Sequence, residues 1–345
     1  MWFCEADWTV SETIGLIRGD GIGPEVTAAA VRVIEAAGVK VDWVDLPAGG
    51  SALDEYGHPL PERTTAAILG HKLCLKGPVA TPIGEGFTSV NVTLRRRLGL
   101  YAAVRPVRSL PGIKSRYEDV DLVVIRENTE GLYSGIEHEV VSGVVESLKV
   151  ATLSACTRIA RWAFDYAESR GRRKVTVFHK ANIMKMSDGL FLRAARRIRE
   201  AFYPGIEYEE LIIDNGCMQL VADPSRFDVL LMENLYGDLV SDLCSGLVGG
   251  LGVVPGGNIG ADCAVFEAVH GTAPDIAGKG IANPLACIMS GVMMLNHMGE
   301  ASAAERIRAA YDTVLTQGDP AHLTPDIGGR GTTDSFTQAI VDVLS

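Results

Sequence analysis

The chain predicts an α/β protein of two domains, with much of its sheet parallel. Apolar β-type runs recur along it, and helical patterns follow them, which is the alternation that builds parallel sheets. Its 345 residues exceed the roughly 250 to 300 at which a single core tends to split. A hydrophobic share of 47% and a charged share of 22% are those of an ordinary globule.

The first β-type run is Thr13 to Ile17, followed by Gly19-Asp-Gly-Ile-Gly-Pro24 and a helical pattern from Glu25 to Ala37. Proline at the first helical position after a glycine turn is a common helix start. The glycines are spaced Gly-x-Gly-x-Gly, one residue short of the dinucleotide fingerprint, which argues against a Rossmann domain. Further β-type runs fall at Lys40 to Val44, His71 to Leu75, Leu122 to Ile125, Lys174 to Phe178, Glu209 to Ile213 and Val229 to Met232. Helical segments include Ser154 to Arg170 and Asp188 to Ala201. Tyr133 to Val150 carries two β-type stretches around Ser142-Gly143, a hairpin signal. An isolated hairpin is marginal in water, so a partner is expected, such as the same hairpin on a second subunit. Gly246 to Gly260 reads as packed turns and a plausible domain crossover.

The formal net charge is -11, and basic residues form only short clusters such as Arg95-Arg96-Arg97 and Arg172-Arg173-Lys174. The sustained basic stripe that nucleic acid demands is missing. An acidic chain that holds an anionic ligand must concentrate its arginines locally, against its average field. The first ten residues lack the basic start and apolar run of a signal peptide, and the longest apolar runs, around Leu285 to Leu295, are too short to span a bilayer. A soluble intracellular protein is expected. Seven scattered cysteines without Cys-x-x-Cys spacing read as reduced core thiols.

The stretch Met232 to Asp275 carries most of the chemistry. Asp238 and Asp242 lie one helical turn apart among Leu239, Val240, Leu243 and Cys244. Like charges at i and i+4 repel unless a cation lies between them, and oxygen donors suit Mg²⁺ or Mn²⁺. Without such neighbours the same spacing is ordinarily a solvated face. Arg95, Arg105 and Arg126 are candidates for gripping carboxylates with their planar forks, and Arg126 stands out because it ends an apolar run. Arg96 and Arg97 read as solvated. Tyr133 and Lys180 are the candidate proton handlers, since a desolvated lysine near a metal can be driven toward neutrality. Asp214, after Leu-Ile-Ile, is either a third oxygen ligand or a turn residue.

From Gly19-Asp-Gly-Ile-Gly-Pro-Glu25 to Gly328-Gly329 the chain resembles the isocitrate and isopropylmalate dehydrogenase family of metal-dependent oxidative decarboxylases. Thr81-Pro82, Leu94-Arg95, Val104-Arg105-Pro106, Arg126-Glu-Asn-Thr-Glu-Gly and Tyr133-Ser-Gly recur in family order. So do His179-Lys-Ala-Asn-Ile-Met, Asn234-Leu-Tyr-Gly-Asp238, Gly256-Gly-Asn-Ile-Gly260 and His270-Gly-Thr-Ala-Pro-Asp275. The resemblance implies that Arg95, Arg105 and Arg126 bind substrate carboxylates. It implies that Asp238 and Asp242 bind the metal with Asp214 of a neighbouring subunit. Lys180, also implied to cross from the second subunit, takes the hydroxyl proton, and Tyr133 reprotonates the product carbon. The implied fold is non-Rossmann, two domains sharing a long mixed sheet. Residues 1–99 and 253–345 form the large, cofactor-side domain, and 100–252 the small one, with the metal-site helix and a dimer-clasp hairpin at about 133–150.

Asp275-Ile276 bears on the cofactor. A carboxylate near the adenosine ribose accepts from its hydroxyls and repels a 2′-phosphate. NADP-using relatives carry Lys-Tyr here, with tyrosine and arginine at the counterparts of Pro325 and Gly329, so NAD is expected. The same comparison puts Thr81, Asn91, Glu267, His270, Gly271, Thr272, Ala273, Asp275, Ile276 and Asn283 around the cofactor. For the acid, Ser89 and Asn91 match isocitrate-specific relatives, where hydroxyl and amide meet the γ-carboxylate and nicotinamide; isopropylmalate enzymes place apolar residues there. The implied reaction is NAD- and divalent-metal-dependent oxidative decarboxylation of isocitrate to 2-oxoglutarate and CO2 by a homodimer or higher oligomer with shared active sites. The alternatives are a homoisocitrate or 3-isopropylmalate dehydrogenase, or a regulatory subunit of a hetero-oligomeric enzyme. The expected compartment is the cytoplasm for a bacterial-type chain and the mitochondrial matrix for a eukaryotic one.

Overall fold

A computed structural model describes residues 13–80 and 89–345. The first ten residues, Thr81 and Pro82, on which expectations were placed above, lie outside these. The described chain divides into two compact units. One comprises Leu100–Arg108 and Asp119–Cys244; the other holds residues 13–80, 89–99, Ser109–Glu118 and Ser245–Ser345.

The chain begins with β1 (Thr13–Ile17), β2 (Asp42–Asp45) and β3 (Leu73–Lys76). It continues with β4 (Ala102–Arg108), β5 (Asp121–Glu127), β6 (Gly131–Val141), β7 (Val144–Val150), β8 (Lys174–His179), β9 (Glu207–Ile212) and β10 (Val229–Met232). It closes with β11 (Pro255–Ile259) and β12 (Ala264–Ala268).

In the terminal unit the strand order is β2-β1-β3-β12-β11, parallel except for the β11–β12 pair. Its helices include Gly23–Ala36 and the buried Leu285–Met298, with ten of its fourteen residues inside. In the other unit the order is β4-β5-β10-β8-β9, parallel except for β4–β5. Both arrangements follow the expected alternation. β5 and β10 are buried along nearly their whole length, with the apolar runs Leu122 to Ile125 and Val229 to Met232 at their centres, as strands covered on both faces must be.

β11 was read from sequence as packed turns. Pro-Gly-Gly-Asn-Ile has poor strand propensity, yet it pairs residue for residue with β12, and a side chain at Gly257 would meet the Phe266 ring at 3.1 Å. β4 and β12 also escaped the sequence reading. The glycine loop is spent on backbone packing: a Cβ at Gly19 would lie 2.1 Å from the Pro78 carbonyl, and one at Gly21 2.0 Å from that of Thr272. Both have positive φ, where only glycine is unstrained.

β6 and β7 form a separate two-stranded hairpin turning at Ser142-Gly143. Ile136, Val140, Val141, Val144, Val145 and Leu148 are all exposed on it. Among the described residues no helix is long and apolar enough to cross a membrane. The described cysteines are free, and all but Cys217 are buried; burial pushes the Cys74 thiol up to about 12.

Candidate active-site residues

In the unit containing β4–β10, the end of β5 meets the helix Asn234–Leu247, which follows β10. Met232 is in register with Arg126, so the helix start is delivered beside the arginine. Arg126 is 2% exposed. It donates to the Asn234 side-chain oxygen through Nε (3.0 Å) and Nη2 (2.7 Å), and through Nη1 to Asp238. The Asn234 amide donates on to the Glu130 carbonyl at 2.9 Å. A Cβ at Gly237 would come within 2.5 Å of the Arg126 side chain, so the asparagine, the glycine and the aspartate of Asn-Leu-Tyr-Gly-Asp all serve this one arginine. Asp238 also accepts from the Tyr133 hydroxyl, whose ring lies 5.0 Å from the guanidinium. Burial first, and then the Asp238 carboxylate, push the Tyr133 phenol up, so it keeps its proton through the neutral range.

Around Arg126 the remaining motif residues build a turn. Glu127 accepts from the backbone N–H of Thr129 (2.9 Å) and Glu130 (2.9 Å), and Glu130 accepts from that of Thr152 at 2.8 Å, which ties both ends of the hairpin. Arg105 is buried on β4. Asp242, one turn beyond Asp238, lies on the exposed side of its helix, and Leu239 is also exposed, so the apolar surround expected for the pair is one-sided. Partial burial, then repulsion from Asp238, push the Asp242 carboxyl above its ordinary value against the pull of Arg105 and Arg126. Oxygen donors one turn apart, one of them disfavoured as an anion, fit a hard divalent cation.

Asp214 opens the helix Ile213–Ala222, where it is exposed and bonded to Lys180 Nζ at 2.6 Å. That lysine holds the Asp214 carboxyl below its ordinary value. Among the described residues no three His, Cys, Asp or Glu side chains gather as a metal site, so this chain brings Asp238 and Asp242 together and leaves Asp214 apart.

In the terminal unit, Ser89 caps the short helix Val90–Arg97, accepting from the Val92 N–H at 3.5 Å. Arg95 on this helix approaches Glu267 of β12 at 3.7 Å, and its Nε is buried without a hydrogen-bond partner, as is Asn91 Oδ1. Arg96 and Arg97 are exposed. Glu267 is also paired with Lys76, which is 1% exposed, and accepts from Asn258 at 2.7 Å. The sequence reading missed Lys76 and Asn234. A lysine closing the apolar run Leu-Cys-Leu was a usable signal for the first. For the second, the signal was its place at the head of a recognised motif.

The loop after β12 presents His270, Gly271, Thr272 and Ala273. Ala273 has φ 39, a left-handed conformation that a non-glycine residue adopts only under constraint. The constraint is visible: Ile22 N–H donates to the Thr272 carbonyl at 3.0 Å. Burial holds the His270 imidazole below its ordinary value, so it is neutral near pH 7. With Nδ1 donating to the Gly271 carbonyl at 3.0 Å, the buried Nε2 is left as an acceptor without a partner. Asn283, also buried, donates to Asp326 at 3.0 Å, while Asp275 is exposed and Ile276 half-buried. An unsatisfied buried acceptor in a constrained loop fits a polar ligand such as a dinucleotide.

A two-unit α/β protein with an arginine-braced acidic helix and a constrained polar loop is thus defined. A model of the isocitrate/isopropylmalate dehydrogenase family matches residues 13–342, and the chain belongs to that family. It is 52% identical to the mitochondrial catalytic subunit 5 of NAD isocitrate dehydrogenase from Arabidopsis thaliana, over 99% of this chain and 90% of that protein. It is 50% identical to a mitochondrial regulatory subunit of NAD isocitrate dehydrogenase from Dictyostelium discoideum, over 97% and 92%. The crystal structure of isocitrate dehydrogenase from Methylococcus capsulatus superposes with a TM-score of 0.92 at 51% identity, covering 96% of this chain and 99% of that one. The family and the non-Rossmann fold expected from the motifs are borne out. The cytoplasmic expectation finds no support in the Arabidopsis and Dictyostelium relatives, both named mitochondrial.

Proposed function

We propose that this chain is an NAD-dependent isocitrate dehydrogenase that converts isocitrate to 2-oxoglutarate and CO2 with Mg²⁺ or Mn²⁺. The observation that carries this is the Arg126–Asn234–Asp238–Tyr133 cluster with Asp242 one turn on: a buried fork for a carboxylate, a protonated phenol and an oxygen-only pair for a cation. The names of the relatives support NAD and isocitrate.

Arg95, Arg105 and Arg126 hold the substrate's carboxylates, with Ser89 and Asn91 meeting its γ-carboxylate and the nicotinamide. Lys180 takes the hydroxyl proton, and Tyr133 returns a proton to the carbon that loses CO2. Asp238 and Asp242 hold the cation, with Asp214 contributed from a second copy. Glu267, His270, Gly271, Thr272, Ala273, Asn283 and the Asp275-Ile276 pair contact the cofactor, and the family resemblance assigns Thr81 the same role. When bound, NAD would supply the hydride acceptor and the cation the Lewis acidity that decarboxylation needs. The exposed apolar hairpin pairs with its equivalent on a second copy, making a dimer in which each site draws on both chains. The relatives favour the mitochondrial placement.

NADH formation with Mn²⁺ and isocitrate, homoisocitrate, isopropylmalate or malate in parallel tests the reading. Isocitrate is expected to be fastest. Isopropylmalate in front would refute the roles of Ser89 and Asn91. The Dictyostelium relative named as regulatory motivates a second reading; turnover only after a partner subunit is added would favour it.

A further inference from the structure

We infer that Asp188 is the positioning residue for Lys180, and that it ties the lysine to the hairpin through Lys149. This rests on the proposed role of Lys180 as proton acceptor.

Lys180 follows β8 in an irregular segment, and its ammonium reaches out to the exposed Asp214. A long side chain so placed is aimed by its backbone. That backbone is held at both ends. The Lys180 N–H donates to Asp188 Oδ2, eight positions on, at 2.7 Å, and the Lys180 carbonyl accepts from the N–H groups of Ile183 and Met184, each at 2.9 Å.

Asp188 lies in the first turn of the helix Ser187–Phe202 and is only 3% exposed. Its other partners come from two further elements. Lys149 of β7 donates to Oδ1 at 2.6 Å, and the Tyr236 hydroxyl donates to Oδ2 at 3.2 Å; Ser187 adds a 3.4 Å contact. Lys149 is itself 3.8 Å from Glu233 and 4.5 Å from the centre of the Tyr236 ring. Tyr236 is two residues before Asp238 on the acidic helix. One buried carboxylate therefore joins the hairpin, the Lys180 loop, its own helix and the helix bearing the proposed cation ligands. An ionised carboxylate has lone pairs for all these donors; an amide of the same shape offers one oxygen and turns its NH2 toward either the Lys180 N–H or the Lys149 ammonium, neither of which can accept.

The test is Asp188→Asn in the full chain, assayed with isocitrate, NAD and Mn²⁺ beside Lys180→Met. A displaced lysine lowers kcat about 10- to 100-fold. KM for isocitrate and NAD are expected to stay within about twofold, because the groups assigned to bind them are untouched. A second readout is acetylation of Lys180 Nζ relative to Lys185 by dilute acetic anhydride in the absence of substrate, quantified by mass spectrometry; the ratio is expected to change several-fold. Asp188→Glu, which keeps the charge, is expected to restore part of both. Wild-type kcat and wild-type labelling in folded Asp188→Asn would overturn the inference. So would a lowered Tm with kcat per folded enzyme unchanged, since Asp188 would then be structural only. If Lys180→Met keeps wild-type turnover, it is the proton-acceptor reading that fails. Should Asp188→Asn not fold, Lys149→Met carries the test: lowered kcat with altered labelling supports the tie, and no change in either overturns it.

Discussion

The two units meet their unfinished chemistry in opposite ways. Around β5 the charged groups are arranged openly: Arg126 is buried, but the carboxylate it braces is half-exposed, and Asp242 beyond it carries a charge its surroundings disfavour. Around β12 the charges are sealed as a buried cluster of Lys76, Glu267 and, at 3.7 Å, Arg95, and the buried acceptors left without a partner include the neutral His270 Nε2 and Asn91 Oδ1. On the function proposed above, the first region would be completed by a positive ion and the second by a ligand's hydrogen-bond donors. A cation site needs water access and some residual repulsion, whereas a site for a large polar ligand needs pre-set acceptors in a dry wall.

The contrast breaks most sharply at Lys76. Lys76→Met removes the nearer cation from the buried Glu267, leaving Arg95 at 3.7 Å, and is expected to cost ~3–5 kcal/mol in urea unfolding. Adding Glu267→Gln should recover most of that, because the stranded charge is then gone. If the single substitution is neutral, the pair is not sealed. Asp242→Asn is the opposite case. Mn²⁺ affinity, read by titration calorimetry, should fall by more than about 100-fold, beyond what an outer-shell partner costs. Metal-free stability should hold or rise, since the folded chain disfavours that anion. A loss of metal-free stability would mean the carboxylate is structural.

Asp275→Lys with Ile276→Tyr should lower kcat/KM for NAD about tenfold while leaving KM for isocitrate in place. An unchanged NAD preference would remove these residues from the cofactor assignment. The smallest effect is a pH dependence. His270 is held below the ordinary histidine value, so the unfolded chain binds a proton that the folded chain releases, and stability falls as pH drops below about 6.5. His179 is shifted the same way by burial. His270→Gln should therefore make the loss of stability between pH 6.5 and pH 5 shallower without abolishing it, as followed by urea midpoints.

Most of the fold was legible in the alternation of apolar runs with helical periodicity. β10 was placed to the residue, and β5 and β8 to within one or two, because buried parallel strands read as continuous apolar stretches. β11 was not, since Pro-Gly-Gly-Asn-Ile signals a turn until Phe266 and the β12 ladder overrule it. At the site, arginines ending apolar runs and aspartates one turn apart were visible from spacing alone. Lys76 and Asp188 were not, because each becomes informative only when elements distant in sequence deliver its partners, Glu267 to one and Lys149 to the other.

Residue type and spacing by themselves determined the α/β class, the family, the acidic pair and the hairpin, because each depends on periodicities or short motifs that survive in one dimension. Only the tertiary structure decided which charges neutralise one another. It spent the Gly19–Gly23 loop on backbone contacts, gave Asp238 to Arg126 and Tyr133, and left Asp242 over. The physical reason is that electrostatic and hydrogen-bond energies depend on distance and burial, and neither is set until the strands and helices have packed.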